Sequence, residues 1–357
     1  MTPEELFTLP CAWFVDHDPG EIAISSRIRL ARNLEGLPFP ASATVEQREE
    51  LRDHVLELLG KEKKFRDGLL LDLEQLPGPE KWLLFERGLV SRELVETEGQ
   101  GGLAVSADRQ DVVMMNEEDH LRLQVMRSGM SLQEAWTEIC SVDDVLESQL
   151  QYAYSDHFGY LTCCPSNTGT GMRAGVMLHL PGLVLLEEIR PVIRGLGKMG
   201  LAVRGLGGEG SDADGFLYQI SNQITLGRAE EQVIEEIQEV VEELILHERN
   251  ARLRLEESRL DWLRDRVSRA MGVLQHACML PSKEALDLLS MVRMGLAMEL
   301  LSLDRAHEVE QLMVEVRPAH LQRLAGEELT PEARDRFRAD WVRSKLADLR
   351  KGPKLDL

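Results

Sequence analysis

From Arg228 to the C-terminal end the apolar residues recur only at helical spacing, whereas the preceding part mixes strand, turn and helix signals. That change of pattern restricts the fold more than any other feature. In the later part, Val233, Ile237, Val240, Val241, Leu244 and Ile245 mark one face of a helix. Breaks at Leu280-Pro281-Ser282 and Gly326–Pro331 separate further helices. Thr330 suits an N-cap, with Pro331 at the first helical position, where its missing N–H costs nothing. Earlier, Ile22, Ile24, Ile28 and Leu30 alternate as in a strand and set Arg27 and Arg29 on one face. Val112–Met115, Leu201–Arg204 and Phe216–Ile220 also read as strands. Thr44 with Gln47 and Ser131 with Glu134 have the spacing of capping boxes; the first precedes a helix through Leu51, Val55, Leu58 and Leu59, the second one running towards Leu150. Strands beside helices without regular strand–helix–strand alternation favour an α+β fold. The expected boundary is near residue 255, within or just after a long helix, giving domains 1–255 and 256–357.

The 357 residues suffice for two domains with a sizeable core. A net charge of -21 argues against a nucleic-acid partner, because neutralising phosphates needs a basic surface. It is compatible with cationic protein substrates, although solubility alone accounts for most of the acids. No apolar run approaches a membrane span, and the first residues lack the basic start of a secretory signal, so no membrane role is expected. Five cysteines without metal-ligand spacing point to a reducing cytoplasm and to no protein metal site.

Against this acidic background, five arginines fall in four short blocks. These are Ser26-Arg27-Ile28-Arg29-Leu30, Asn116-Glu117-Glu118-Asp119-His120-Leu121-Arg122, Cys164-Pro165-Ser166-Asn167-Thr168-Gly169-Thr170-Gly171-Met172-Arg173 and Arg204-Gly205-Leu206-Gly207-Gly208-Glu209-Gly210. The third block lacks the Gly-Lys-Ser/Thr ending of a Walker A loop. A guanidinium is a poor nucleophile, since it is protonated and its lone pairs are delocalised. Carboxylates can hold its planar fork, aim one nitrogen at phosphorus and take up the proton. Clustered cations can meanwhile neutralise a triphosphate and the transferring group. Together the blocks resemble the guanidino kinases, ATP:guanidino phosphotransferases, and within them the bacterial protein-arginine kinases of the McsB type; the resemblance covers nearly the whole chain.

That resemblance implies an antiparallel sheet flanked by helices, then an all-helical C-terminal domain. It assigns Glu118 and Glu209, with Cys164 beside the guanidinium, to catalysis. For ATP it implies Arg27, Ile28, Arg29, Leu30 and Ala31, then Arg122, then Arg173, Ala174, Gly175, Val176 and Met177, and last Arg204, Gly205, Leu206, Gly207 and Gly208. Asn167 to Gly171 are expected to offer donors to phosphate at the start of a helix carrying Arg173. Mg²⁺ is expected to arrive with ATP, held by phosphates and water. Other residues have plainer readings. Cys11, Cys140, Cys163 and Cys278 read as buried and inert, His120 as structural, Glu117 and Asp119 as orienting the loop. Arg32 reads as half of a surface ion pair, and Asn222 and Gln223 as turn and edge hydrogen bonders. The sequence departs from the family pattern at Gly88, where a nucleotide-contacting histidine is usual, and mildly at Asp212, where glutamate is usual; Ser211, Asp212 and Asp214 are expected in a loop that closes on substrate.

In the phosphagen-forming branch an all-helical domain precedes the first arginine block, and its loop closes over a small guanidine. Here that block begins at Ser25, so a more open cleft is expected, suited to an arginine still attached to a protein. Near the other end, Arg334-Asp335-Arg336-Phe337-Arg338-Ala339 is similar to the Arg-Asp-x-x-Arg-Ala motif with which McsB-type kinases bind phosphoarginine away from the active site. Arg334 and Arg338 are one helical turn apart and would take phosphate, leaving Asp335 for the ligand's guanidinium; an exposed helix with ordinary ion pairs is the plainer reading. The resemblance thus implies a protein-arginine kinase with arginine-bearing protein substrates, a homodimer, and by analogy a Clp-type protease or unfoldase and an activator protein. The alternatives are a kinase for a free guanidino metabolite and a phosphoarginine-binding adaptor with a degenerate active site.

Overall fold

The structure, a computed structural model, describes residues 1–12, 21–96, 99–205, 208–209, 213–303 and 305–348. The chain forms two compact units. The first comprises Met1–Val15, Ser25–Val176 and Ser221–Glu239, the second Asp16–Ile24, Met177–Ile220 and Val240–Leu357.

In chain order the first unit holds α1 (Pro3–Thr8), β1 (Ala23–Arg32), α2 (Val45–Lys61), α3 (Lys63–Arg66), β2 (Leu69–Asp72), α4 (Gly78–Glu86) and α5 (Arg92–Glu96). There follow β3 (Gly102–Val105), β4 (Asp111–Met115), β5 (Leu121–Ser128), α6 (Leu132–Glu147), β6 (Tyr154–Ser155), β7 (Gly159–Tyr160) and β8 (Met172–His179); β1 and β8 each run across the division between units. The main strands lie in the order β8-β1-β5-β4-β3-β2, and β6 and β7 form a separate hairpin. The pairs β1–β5, β5–β4, β4–β3 and β3–β2 are antiparallel. Register sets which side chains share a face. Arg27, Arg29 and Ala31 stand opposite Met126, Gln124 and Arg122, so Arg122 joins the face that alternation gives to Arg27 and Arg29. Ile28 and Leu30 point the other way and are buried at 0% and 1% exposure.

Local signals account for most of these boundaries. The Thr44 hydroxyl accepts from the Gln47 amide while the Gln47 side chain returns to the Thr44 N–H, which makes the expected capping box at α2. The second expected box is absent. Ser131 precedes α6, but its hydroxyl donates to Ser128 O at 3.0 Å and its amide to Ser26 Oγ at 2.9 Å. Tertiary hydrogen bonding to β1 takes the place of the local cap.

The second unit contains α7 (Pro181–Leu185), α8 (Ile189–Lys198), β9 (Leu201–Gly205) and β10 (Gly208–Glu209), then β11 (Leu217–Asn222), which continues into the first unit. Its strands run β10-β9-β11-β8. The expected helices follow as α9 (Glu230–His276), α10 (Ser282–Ala297), α11 (His307–Glu315), α12 (Pro318–Ala325) and α13 (Pro331–Asp348). Helix α9, which begins in the first unit, is interrupted at Arg259 by a non-helical backbone (φ −144°, ψ 32°). Thr330 caps α13, accepting from the Ala333 amide at 3.3 Å. A buried acid ties the unit together, because Glu248 on α9 accepts from the first amides of α7, Gly182 at 2.9 Å and Leu183 at 3.0 Å. Arg252, one turn along α9, pairs with the same carboxylate at 2.7 Å. Farther in, fully buried His179 meets Ser290 Oγ at 2.6 Å and Arg293 at 2.9 Å, and Arg293 pairs with Glu310 at 2.7 Å. The end of β8 is thereby fastened to α10 and α11.

Candidate active site

In the first unit β1 carries Arg27 and Arg29, β5 carries Arg122 as its second residue, and β8 carries Arg173. Their guanidiniums are close enough to act on one another. Burial, followed by repulsion from Arg27, Arg122 and Arg173, lowers the Arg29 guanidinium well below its ordinary value, and Glu117 is the acid that opposes this. Arg29 Nε is buried and has no hydrogen-bond partner among the described residues. Arg173 donates from Nε and Nη2 to Ser221 Oγ, both at 3.2 Å. Such a cluster of cations, with a buried Arg29 donor that has no partner among the described residues, is chemically suited to an anion.

The loop between β4 and β5 divides its acids. Glu117 is ion-paired with Arg122, and its other oxygen accepts the Glu118 amide at 2.9 Å. Burial would raise its carboxyl, but Arg122, the Ser91 hydroxyl and the Glu118 amide together hold it below the ordinary value. Glu118 has the opposite environment. Burial, then the charges of Asp119 and Glu117, raise its carboxyl, against Arg122 and a hydrogen bond from the Cys164 thiol. Cys164 therefore stands beside Glu118; its sulfur also lies 3.0 Å from Ser166 Oγ. Asp119 and His120 are structural: Asp119 accepts from Asn33 at 2.6 Å and from the Cys163 amide at 2.7 Å, and His120 bonds the Leu34 amide and Pro38 O. Sequence reasoning gave Glu117 only an orienting role. It closes on Arg122 from the connection between β4 (Asp111–Met115) and β5 (Leu121–Ser128).

Four expectations are corrected. Arg173 lies on strand β8, not on a helix, because Met172–His179 is recruited into the sheet between β1 and β11. The loop before it does not present free donors along its length: the amides of Asn167, Thr168, Gly169 and Thr170 donate to Cys164 O, Pro165 O, Tyr160 O and Thr225 O. Gly169 (φ +114°) is required by crowding, since a Cβ there would lie 2.4 Å from Thr225 O. Arg32, expected on the surface, is 2% exposed; it forks onto Asp143 and lies 3.6 Å from the centre of the Tyr160 ring. Among the cysteines Cys11 is buried, as expected, but Cys278 is exposed and Cys140 and Cys163 are half-buried; all are free thiols. Asn222 behaves as expected, accepting from Ala174 N and donating to Met172 O and Ile224 O. Ala174 and Val176 are fully buried, with Gly175 buried and Met177 half-buried along the same strand. At Gly88 the backbone is left-handed (φ +75°), and its carbonyl accepts from Gln124 at 2.8 Å.

In the second unit, antiparallel pairing of β9 with β10 sets Glu209 directly opposite Arg204 and Gly208 opposite Gly205. Arg204 is exposed. Leu206, Gly207, Gly210, Ser211 and Asp212 lie outside the described residues. Asp214 pairs with Lys283 at 3.0 Å. On α13, Asp335 and Arg338 are paired at 2.5 Å, and Arg338, 1% exposed, also donates to Val316 O and Leu280 O at 2.7 Å. Arg334 is half-buried and donates to Leu329 O at 3.2 Å.

Residues 50–251 match the ATP:guanido phosphotransferase C-terminal catalytic domain, and residues 261–355 match the protein-arginine kinase McsB C-terminal domain. The chain is 43% identical to a protein-arginine kinase of Pelotomaculum thermopropionicum, over 94% of this chain and 95% of that protein. It is 44% identical to one from Moorella thermoacetica, over 94% and 97%. Among solved structures it resembles lombricine kinase, with a TM-score of 0.56 at 24% identity over 67% of this chain and 71% of that one. The substrate-free duplicated taurocyamine kinase of Schistosoma mansoni gives a TM-score of 0.57 at 24% identity over 75% of this chain, which spans 39% of that duplicated protein. These two likenesses bear on the fold, and they agree with an antiparallel sheet flanked by helices. A face of clustered arginines, an acid beside a thiol and two matched domains end to end have one common reading: the chain belongs to the ATP:guanido phosphotransferase family and, within it, to the protein-arginine kinases.

Proposed function

We propose that this protein transfers the γ-phosphoryl group of ATP to arginine side chains of proteins, and that the resulting mark directs them to a Clp-type protease or unfoldase. The observation that carries the phosphoryl-transfer part is the crowding of Arg27, Arg122 and Arg173 around Arg29. Four cations held together against repulsion call for a polyanion, and a triphosphate meets that need. Arg204 adds a fifth cation by family resemblance, and the backbone segments Arg27–Ala31, Arg173–Met177 and Arg204–Gly208 complete the nucleotide contacts.

Glu118 and Glu209 hold the substrate guanidinium and fix its orientation. A guanidinium nitrogen attacks the γ-phosphorus, the N–P bond forms as the P–O bond to ADP breaks, and the nitrogen's proton passes to a carboxylate. The environment of Glu118 suits this last role, because a carboxyl raised by burial accepts a proton more readily than an ordinary glutamate. Cys164 supports Glu118 by donating its thiol proton in a hydrogen bond. Mg²⁺ neutralises the phosphates when bound and is held by them and by water. Residues 1–255 form the catalytic domain, and residues 256–357 a domain for dimerisation and regulation, with phosphoarginine bound near Arg334, Asp335 and Arg338. The enzyme works in the cytoplasm, with an activator protein. Among the described residues no helix is long and apolar enough to cross a membrane.

The direct test is incubation with Mg-ATP and either free arginine or an unfolded basic protein. Acid-labile, base-stable phosphate on the protein alone is the expected result. Phosphorylation of free arginine alone would overturn the protein-directed reading.

A further inference from the structure

The first unit contains a cleft lined in part by Gly169 and Thr170, which follow Cys164 in the same loop. This open cleft of about 490 Å³ lies between the β6–β7 hairpin, the end of α6 and the start of α9. Its walls include Tyr154, Phe158 and Tyr160, with Glu147 and Glu230. Tyr154 is 58% exposed and Phe158 49%, so these rings are not core side chains. Tyr154 meets Tyr160 edge-on at 5.3 Å. Both carboxylates act on the Tyr160 hydroxyl, which burial raises first and Glu147 and Glu230 raise further. Neither acid has a cationic partner among the described residues, and Arg228, which also lines the cleft, is neutralised by Glu236.

Aromatic faces with uncompensated carboxylates attract cations. The same hairpin already shows this chemistry internally. On its inner side Arg32 lies against Tyr160 at 3.6 Å while forking onto Asp143. The outer side offers the same combination of ring and acid, and Arg228 in its lining is already paired with Glu236. We propose that this cleft binds a lysine or arginine side chain of the protein substrate that neighbours the arginine being phosphorylated. The hairpin and the Cys164 loop are directly joined: Tyr160 N donates to Gly169 O at 2.8 Å, and Thr162 Oγ1 donates to Cys164 O at 2.8 Å. The hairpin turn at Gly159 (φ +73°) leaves no room for a side chain, since a Cβ would lie 2.5 Å from Gly169 O, so cleft and loop are held in close register. A chain of net charge -21 adds long-range attraction for such basic segments. The inference rests on the protein-directed kinase reading and gives it a substrate preference.

The test uses the full-length protein and two sets of unstructured peptides with one arginine each. In one set a lysine is placed at successive distances from the arginine; in the other, glutamine takes its place. At one spacing or more, the lysine peptide should bind about three- to tenfold more tightly and show a correspondingly higher kcat/KM, with the difference shrinking at high salt. Glu147→Gln combined with Tyr154→Ala, both at exposed positions, should remove this preference while leaving turnover of the glutamine peptides unchanged. Binding is also measured by fluorescence anisotropy without nucleotide, so the result stands even if no peptide is phosphorylated, an outcome that would count against the kinase reading instead. Equal binding of the two sets by the parent, or a preference that survives in the double variant, would overturn the proposal.

Discussion

Arg122 is ion-paired with Glu117, so the acid next to Glu118 is committed to holding a cation of the proposed phosphate site. The pair is largely buried, with side-chain exposures of 18% and 2%. Replacing Glu117 by Gln removes the acid that pairs with Arg122 and opposes the lowering of Arg29. Removing one partner of a buried pair costs about 3 kcal/mol. Bound ATP supplies negative charge to the same cluster, so much of this loss should disappear when nucleotide is present. Denaturant unfolding of parent and variant, with and without ATP, checks this. An equal loss in both conditions would mean that nucleotide does not replace the Glu117 charge.

In the proposed mechanism the raised Glu118 carboxyl should set the acid side of the pH profile. Proton acceptance requires the ionised form, and a carboxyl raised by burial and by Asp119 loses its charge at a higher pH than an ordinary glutamate as pH falls. The acid limb of kcat/KM should therefore lie above the usual carboxylate range. Cys164→Ala removes the hydrogen bond that favours the ionised form, and should move that limb to higher pH still. Glu118→Gln and Glu209→Gln should each leave ATP binding nearly intact and cut transfer by about 10²–10⁴-fold. An acid limb at the ordinary position of glutamate, unaffected by Cys164→Ala, would remove Glu118 from the acceptor role.

Much of this arrangement was legible in the sequence. Period-two alternation put Arg27 and Arg29 on one face, and helical spacing identified the long C-terminal series. What stayed hidden depended on partners distant in the chain. Arg32 looked like a surface charge because its acid, Asp143, comes from α6. Ser131 looked like half of a capping box, but its amide and hydroxyl are taken by Ser26 and Ser128. Arg173 followed a glycine-rich run of the kind that opens a helix. Only the sheet, by drawing in Met172–His179, makes that segment a strand. Local pattern thus identified the residue types of the site, while register and long-range hydrogen bonds decided which acid serves which arginine.

Arg122→Ala and Arg204→Ala should weaken nucleotide binding and slow transfer together, because in the proposed site both charges meet the phosphates before and during the reaction. Lysine at either position should restore only part of the activity, since an ammonium cannot give a planar two-donor contact. At position 122 the rescue should be the poorer of the two, because lysine must also replace the pairing to Glu117. Steady-state kinetics with nucleotide titration separates the effects. Lys variants equal to the parent would show that fork geometry is irrelevant there.

The helical domain offers the last prediction. If phosphoarginine binds near Arg334, Asp335 and Arg338 and favours a competent dimer, it should raise activity by its difference in affinity between the two states, about 1–3 kcal/mol of coupling. The double change Asp335→Ala with Arg338→Ala should abolish that activation, but the geometry adds a second consequence. The Arg338 guanidinium holds Leu280 O, Val316 O and Asp335, so its loss should also lower stability by about 1–3 kcal/mol. Arg334 is half-buried and donates to Leu329 O, which Arg338 does not hold. Arg334→Ala is thus the cleaner probe: it should weaken phosphoarginine binding and activation while sparing thermal stability and basal ATP turnover. Calorimetry with phosphoarginine, run beside thermal melts, distinguishes the two effects. Unchanged affinity in Arg334→Ala would place the regulatory site elsewhere, and unchanged activation would assign the effect of phosphoarginine to the catalytic cleft.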